Sequence, residues 1–143
     1  MDKKEFKKVL VSILSEYGFT TKNNISRAET DELIIVISTQ KSNYDNSYYL
    51  NYGFLIKALN PDLTTPKDNQ CDVFGRLNLN IDGKILSTAD FENMRSEEFS
   101  DALKMSLNER VKPVLDFGIL KYFDLFPAAI STVRIVAKKH LGL

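Results

Sequence analysis

From residue 47 to residue 57 the chain reads SYYLNYGFLIK, with apolar side chains at every second position. Tyr48, Leu50, Tyr52, Phe54 and Ile56 fall on one face of an extended strand, and Tyr49, Asn51, Gly53 and Leu55 on the other. Residues 32–40 (ELIIVISTQ) carry five consecutive aliphatic positions. That run predicts a strand buried on both faces at its centre, ending in the polar Ser38, Thr39 and Gln40. Residues 71–79 (CDVFGRLNL) predict a third long strand. Its alternation sets Cys71, Val73, Gly75 and Leu77 against Asp72, Phe74, Arg76 and Asn78. Residues 23–28 predict a short strand, residues 29–32 a turn, and Asp82-Gly83 a hairpin with a return strand over 84–87. The Asn-rich residues 41–47 and the Pro-, Asp- and Thr-rich residues 60–69 read as exposed loops.

The period changes to 3.6 at both ends of the chain. Phe6, Val9, Leu10, Ile13, Leu14 and Tyr17 make one apolar stripe, which predicts a helix over 3–17 packed on a sheet. Asp2 is placed to cap it, Glu5 to complete a capping box, and Gly18 to end it in a left-handed conformation. In the C-terminal half, Ser96 is the expected cap of a helix with Phe99, Ala102, Leu103, Ser106, Leu107, Arg110, Val111 and Val114 on one side. Pro113 should kink or end it, and Gly118 should separate a short segment, 119–126. Pro127 suits the first turn of a last helix, whose apolar side is Ile130, Val133, Val136, Ala137 and Leu141.

Helix, strands joined by short links, then helices is the order of an α+β domain. The expected sheet is antiparallel, with about four strands, flanked by an N-terminal helix and two or three C-terminal helices. No repeat and no long linker divides residues 1–143, so they are expected to form a single domain.

Charge changes the picture chiefly by exclusion. The chain has 19 basic and 19 acidic residues, interspersed, so no basic stripe exists to hold phosphates and no nucleic-acid partner is expected. Apolar runs are too short for a membrane span, and the first ten residues lack the apolar core of a secretion signal. Cys71 is the single cysteine, which excludes an internal disulfide and favours a reducing compartment. A cytoplasmic location without membrane contact is the expectation.

Catalytic and metal motifs are absent. There is no Gly-rich phosphate loop. The lone histidine, His140, sits at the C-terminal end with nothing in sequence to orient it towards Cys71. Asp62 and Asp68 lack calcium-loop spacing. No catalytic residue, metal or cofactor is therefore expected. What remains is a polar row on the strands, Gln40, Asn51 and Arg76, to which Tyr49 is adjacent by alternation. Arg76 can take a carboxylate or phosphate in forked geometry, and Gln40 and Asn51 can donate and accept beside it. Two plainer readings stand alongside: a solvated sheet face, or an Arg76 salt bridge to Asp72 or Asp45.

Gly18-Phe19, the strand running into STQKS (38–42), YYLNYG (48–53) and Arg76-Leu77 together resemble a bacterial family, domain of unknown function 4304, over most of residues 1–115. The resemblance implies a compact intracellular bacterial domain and carries over no catalytic residue. Its signature residues, Gln40, Lys41, Ser42, Asn51, Gly53 and Arg76, overlap the polar row. The candidate ligand- or partner-binding set is therefore Gln40, Lys41, Ser42, Tyr49, Asn51 and Arg76.

Three uses of such a domain are expected from these residues. The first is a non-catalytic protein-binding module, for example of the immunity type, engaging its partner through the sheet face or the Tyr-rich region 44–52. The second is a binder of small anionic ligands, or a weak enzyme, with a pocket at Arg76. The third is a homodimer through an exposed strand or through a Val133, Val136, Ala137 stripe.

Overall fold

The computed structural model describes residues 1–143 throughout. The chain begins with helix α1 (Lys3–Glu16) and runs through strands β1 (Thr20–Lys22), β2 (Ile25–Glu29), β3 (Leu33–Lys41), β4 (Tyr48–Ile56) and β5 (Val73–Arg76). A small hairpin, β6 (Leu79–Ile81) and β7 (Lys84–Leu86), follows. Helices α2 (Ser96–Arg110), α3 (Lys112–Phe117), α4 (Ile119–Leu125) and α5 (Ile135–Leu141) complete it. The fold is α+β. β1 to β5 form one antiparallel sheet in chain order, and β6–β7 form a separate two-stranded sheet. No helix is long and apolar enough to cross a membrane.

Most of the expected punctuation is present. The Asp2 carboxylate accepts from the Glu5 N–H at 2.7 Å, and Gly18 takes φ 90° after α1. Asp82 and Gly83 both have positive φ, as a primed hairpin turn requires. Gly118, also at φ 90°, separates α3 from α4.

Five expectations are corrected. The segment 20–29 is a hairpin rather than a single strand from residue 23, because Asn23 and Asn24 both take left-handed φ and supply its two-residue turn. The expected strand 71–79 is two strands broken at Leu77 and Asn78, the second belonging to the small hairpin. Cys71 lies before the strand and joins the opposite face from Val73. Arg95, not Ser96, is the N-cap of α2, and the Glu98 carboxylate accepts from its N–H at 3.0 Å. The last apolar segment is not one helix: residues 127–132 form 3-10 turns, Val133 and Arg134 are extended, and α5 starts only at Ile135.

The sheet has two unlike faces. On one, Leu33, Ile35, Ile37, Leu50, Tyr52, Phe54 and Ile56 join the main core with α1, α2, α3 and α4. Phe6 of α1 stacks on Phe91 at 5.1 Å and meets Phe99 of α2 at 5.0 Å between ring centroids. Tyr52 reaches α4, where its hydroxyl lies 2.7 Å from that of Tyr122. Val133 and Ala137 are buried in this core, leaving only Val136 of the predicted dimer stripe half exposed. On the other face, Ile34, Val36, Leu55 and Cys71 make a small second cluster with Leu63 packed against it.

Candidate functional site

The second face of the sheet is divided lengthwise. Its apolar end is roofed by residues 57–72. Arg27 donates from its guanidinium to the carbonyls of Thr65 and Pro66, both at 3.1 Å, and the Ser38 hydroxyl donates to the Asp68 carboxylate at 2.7 Å. Gly53 permits this roof: a β-carbon there would lie 2.7 Å from Cys71 Sγ and 3.0 Å from the Asp68 carbonyl. The glycine of the YYLNYG segment thus admits the protein's own loop. Cys71 is held under that loop, its thiol donating to Lys67 O at 3.5 Å, and burial pushes its pKa up to about 12. A thiol protonated across the physiological range is a poor nucleophile.

The polar end is open. Register places Ser38 opposite Asn51, Asn51 opposite Arg76, and Gln40 opposite Tyr49. In antiparallel pairs, residues directly opposite share a face, so Gln40, Tyr49, Asn51 and Arg76 stand together on the side away from α1. Asn51 Nδ2 donates to Gln40 Oε1 at 3.0 Å, cross-linking β4 to β3. The Arg76 guanidinium lies over the Tyr49 ring, 3.8 Å from its centroid. Phe74, two residues earlier on β5, projects from the same face and is 62% exposed.

Arg76 makes no ion pair. The carboxylates proposed for it from sequence are committed elsewhere. Asp72 is fully buried, pairs with Arg134, and accepts from the Ile56 N–H at 2.8 Å and from Asn60 Nδ2 at 3.0 Å. Asp45 accepts from the Ser47 hydroxyl and N–H, which hold its carboxyl below the usual carboxylate range.

The remaining two residues of the predicted set lie apart from the row. Lys41 pairs in register with Tyr48, on the α1 face, and donates to the Asp45 carbonyl at 3.1 Å. Ser42 is buried, and its hydroxyl accepts from the Tyr44 N–H. Both shape the β3–β4 loop. Gln40, Tyr49, Asn51 and Arg76 are brought together by the sheet. Phe74 is the neighbour that sequence reasoning did not select, although its alternation with Arg76 carried the signal.

None of the main cavities is lined by Gln40, Tyr49, Asn51 or Arg76. A planar cation resting on an aromatic ring, beside an exposed phenyl group and two amides, can meet a carboxylate-bearing surface with both charge and apolar area.

No curated protein and no solved structure matches the chain. The family described as Domain of unknown function (DUF4304) matches residues 10–116, from the middle of α1 to the end of α3 and across the whole sheet. The chain belongs to the DUF4304 family.

Proposed function

We propose that this domain is a non-catalytic protein-binding module, and that it docks an acidic protein surface on the open end of the sheet. The observation carrying this reading is Arg76 itself: a guanidinium stacked on Tyr49, without an acidic partner, next to a phenyl ring that is 62% exposed. Tyr and Arg are over-represented among the residues that dominate binding at protein interfaces. Pre-stacking on Tyr49 reduces the entropy lost when Arg76 is immobilised. The Asn51–Gln40 bond fixes two further polar groups at the rim. The main cavities all lie away from Arg76, which favours a protein over a small anionic ligand there. The reading includes a cytoplasmic setting, which the single unbridged thiol supports.

Covalent side-chain footprinting in intact cells, compared with the purified domain, tests it. Phe74 and Tyr49 should be labelled in the purified domain and shielded in cells. Phe117, which is 74% exposed at the far end of α3, should be labelled equally in both. Equal labelling of Phe74 in both settings would overturn the reading.

A further inference from the structure

A second group of polar side chains lies on the α2 side of the molecule, away from the Arg76 face. The β6–β7 hairpin packs along α2 and leaves a cleft of about 200 Å³ between them. Ser106 of α2 lines it. The residue as a whole is mostly buried, and its hydroxyl, which bonds to no other protein group, is accessible from the cleft. Asn78 and Asn80 line the cleft from the hairpin side, and neither side-chain amide has an internal partner. At the C-terminal end of α2, Arg110 also lines it, its guanidinium held flat over the Phe126 ring at 3.8 Å. Arg110 makes no ion pair, and neither does Glu109 beside it, which completes the polar lining.

Elementary considerations turn this cleft into a site of definite chemistry. The Ser106 hydroxyl, accessible from the cleft, offers an occupant one donor and two acceptor lone pairs. The cleft carries one positive and one negative side chain, neither in an ion pair, with Arg110 also facing the Tyr52 hydroxyl. A simple anion would meet Glu109 unfavourably, and a simple cation would meet Arg110. A molecule bearing both a carboxylate and an ammonium group satisfies the two together. The amides of Asn78 and Asn80 offer donors and acceptors to the same polar head. Ile85 and Met105, both exposed at the cleft, provide an apolar wall for a short side chain. The volume is below the roughly 300–1,000 Å³ of pockets that hold drug-sized ligands.

We infer that the cleft between α2 and the β6–β7 hairpin binds a small zwitterion of the free α-amino acid class, its carboxylate on Arg110 and its ammonium group towards Glu109. This site is independent of the protein-docking face and could stand if that reading fails.

Amide-resolved NMR titration of the full chain with each standard amino acid is the direct test, with the des-amino carboxylate and decarboxylated amine of any binder as controls. At least one amino acid should give saturable shifts at residues 78, 80, 106 and 110, and both controls should bind more weakly. Arg110→Met, which keeps an apolar stem on Phe126, should weaken binding roughly tenfold to a hundredfold, the usual loss for a hydrogen bond to a charged group. Ser106→Ala should weaken it by a smaller factor while leaving the spectrum otherwise native, so the test does not depend on the stability of the arginine variant. Absence of saturable shifts with every amino acid at millimolar concentration would overturn the proposal. So would binding that is indifferent to both substitutions, or des-amino carboxylates that bind as well as the parent amino acid.

Discussion

Tyr52 and Tyr122 share a buried hydroxyl–hydroxyl hydrogen bond of 2.7 Å, which ties β4 to α4. Tyr52 lies inside the family-matched residues 10–116 and Tyr122 outside them. Gly75 lies opposite Tyr52 in the ladder, and a β-carbon there would come within 2.6 Å of the Tyr52 hydroxyl, so the glycine gives the ring its path to α4. The C-terminal helices are thus built into the core of the sheet, with Ile119, Tyr122, Phe123 and Ala137 all buried.

Removing the Tyr52 hydroxyl should leave that of Tyr122 buried without a partner, whereas removing the Tyr122 hydroxyl leaves Tyr52 only its contact with Arg110. Tyr52→Phe and Tyr122→Phe are each expected to lower unfolding stability by about 1–3 kcal/mol in urea titrations. The double variant should lose clearly less than the sum, because the second substitution removes the stranded group.

Asp72 is the second link to the C-terminal segment. Its buried carboxylate pairs with Arg134 and also accepts the Ile56 N–H at the end of β4. Asp72→Ala removes every one of these acceptors and is expected to cost about 3 kcal/mol, seen as a lower urea midpoint with unchanged slope. Arg134→Met should cost less, since Arg134 is half exposed and water can reach the vacated position.

The core face of the sheet and the α+β order were legible in the sequence because alternation in residues 47–57 and the aliphatic run of residues 32–40 leave one register that buries both. The shared side of Gln40, Tyr49 and Asn51 follows from that register, while that of Arg76 depends on the β4–β5 pairing, which one residue of slip would reverse. Three things were not legible. Asn23-Asn24 has no glycine to advertise its turn, although Asn tolerates the left-handed region. The break at Leu77 and Asn78 lies inside an unbroken strand-like pattern and comes from the hairpin docking on α2. The cleft at Arg110 depends on that same docking, so no local pattern announces it.

The pH dependence of stability has a predicted sign. Burial raises the Cys71 thiol from 9.0 to about 12 in the folded protein. Below pH 9 it is protonated in both states, and its contribution is fully present. As pH rises from 9 towards 12, the unfolded chain releases the proton and the native protein does not, so stability falls. Burial raises Tyr52 as well, from 10.0, and adds to the decline at higher pH. Unfolding free energies measured from pH 8 to pH 10 should therefore decrease, and Cys71→Ala should flatten the decrease between pH 9 and pH 10. The native thiol should also react with a thiol-selective reagent at pH 8 only on unfolding.

Gly53 tests the reading of the roof over the second face. Gly53→Ala places a methyl group against Cys71 Sγ and the Asp68 carbonyl, and overpacking of this kind costs about 1–3 kcal/mol. Adding Cys71→Ala should recover part of the loss, because the sulfur is the nearest atom. The backbone carbonyl should keep the recovery incomplete.

Arg76→Glu bears on the function without disturbing the fold. The side chain is exposed and makes no ion pair, so thermal stability should change little, by about the 0.5–1 kcal/mol of its contact with Tyr49. Wild-type and Arg76→Glu domains, immobilised in parallel and exposed to native extract of the source cells at about 0.15 M ionic strength, provide the most direct measurement. A protein partner retained in stoichiometric amount by the wild type and lost by the charge reversal is the predicted result. Retention of the same partner by both, or of none by either, would contradict the docking role of the Arg76 face.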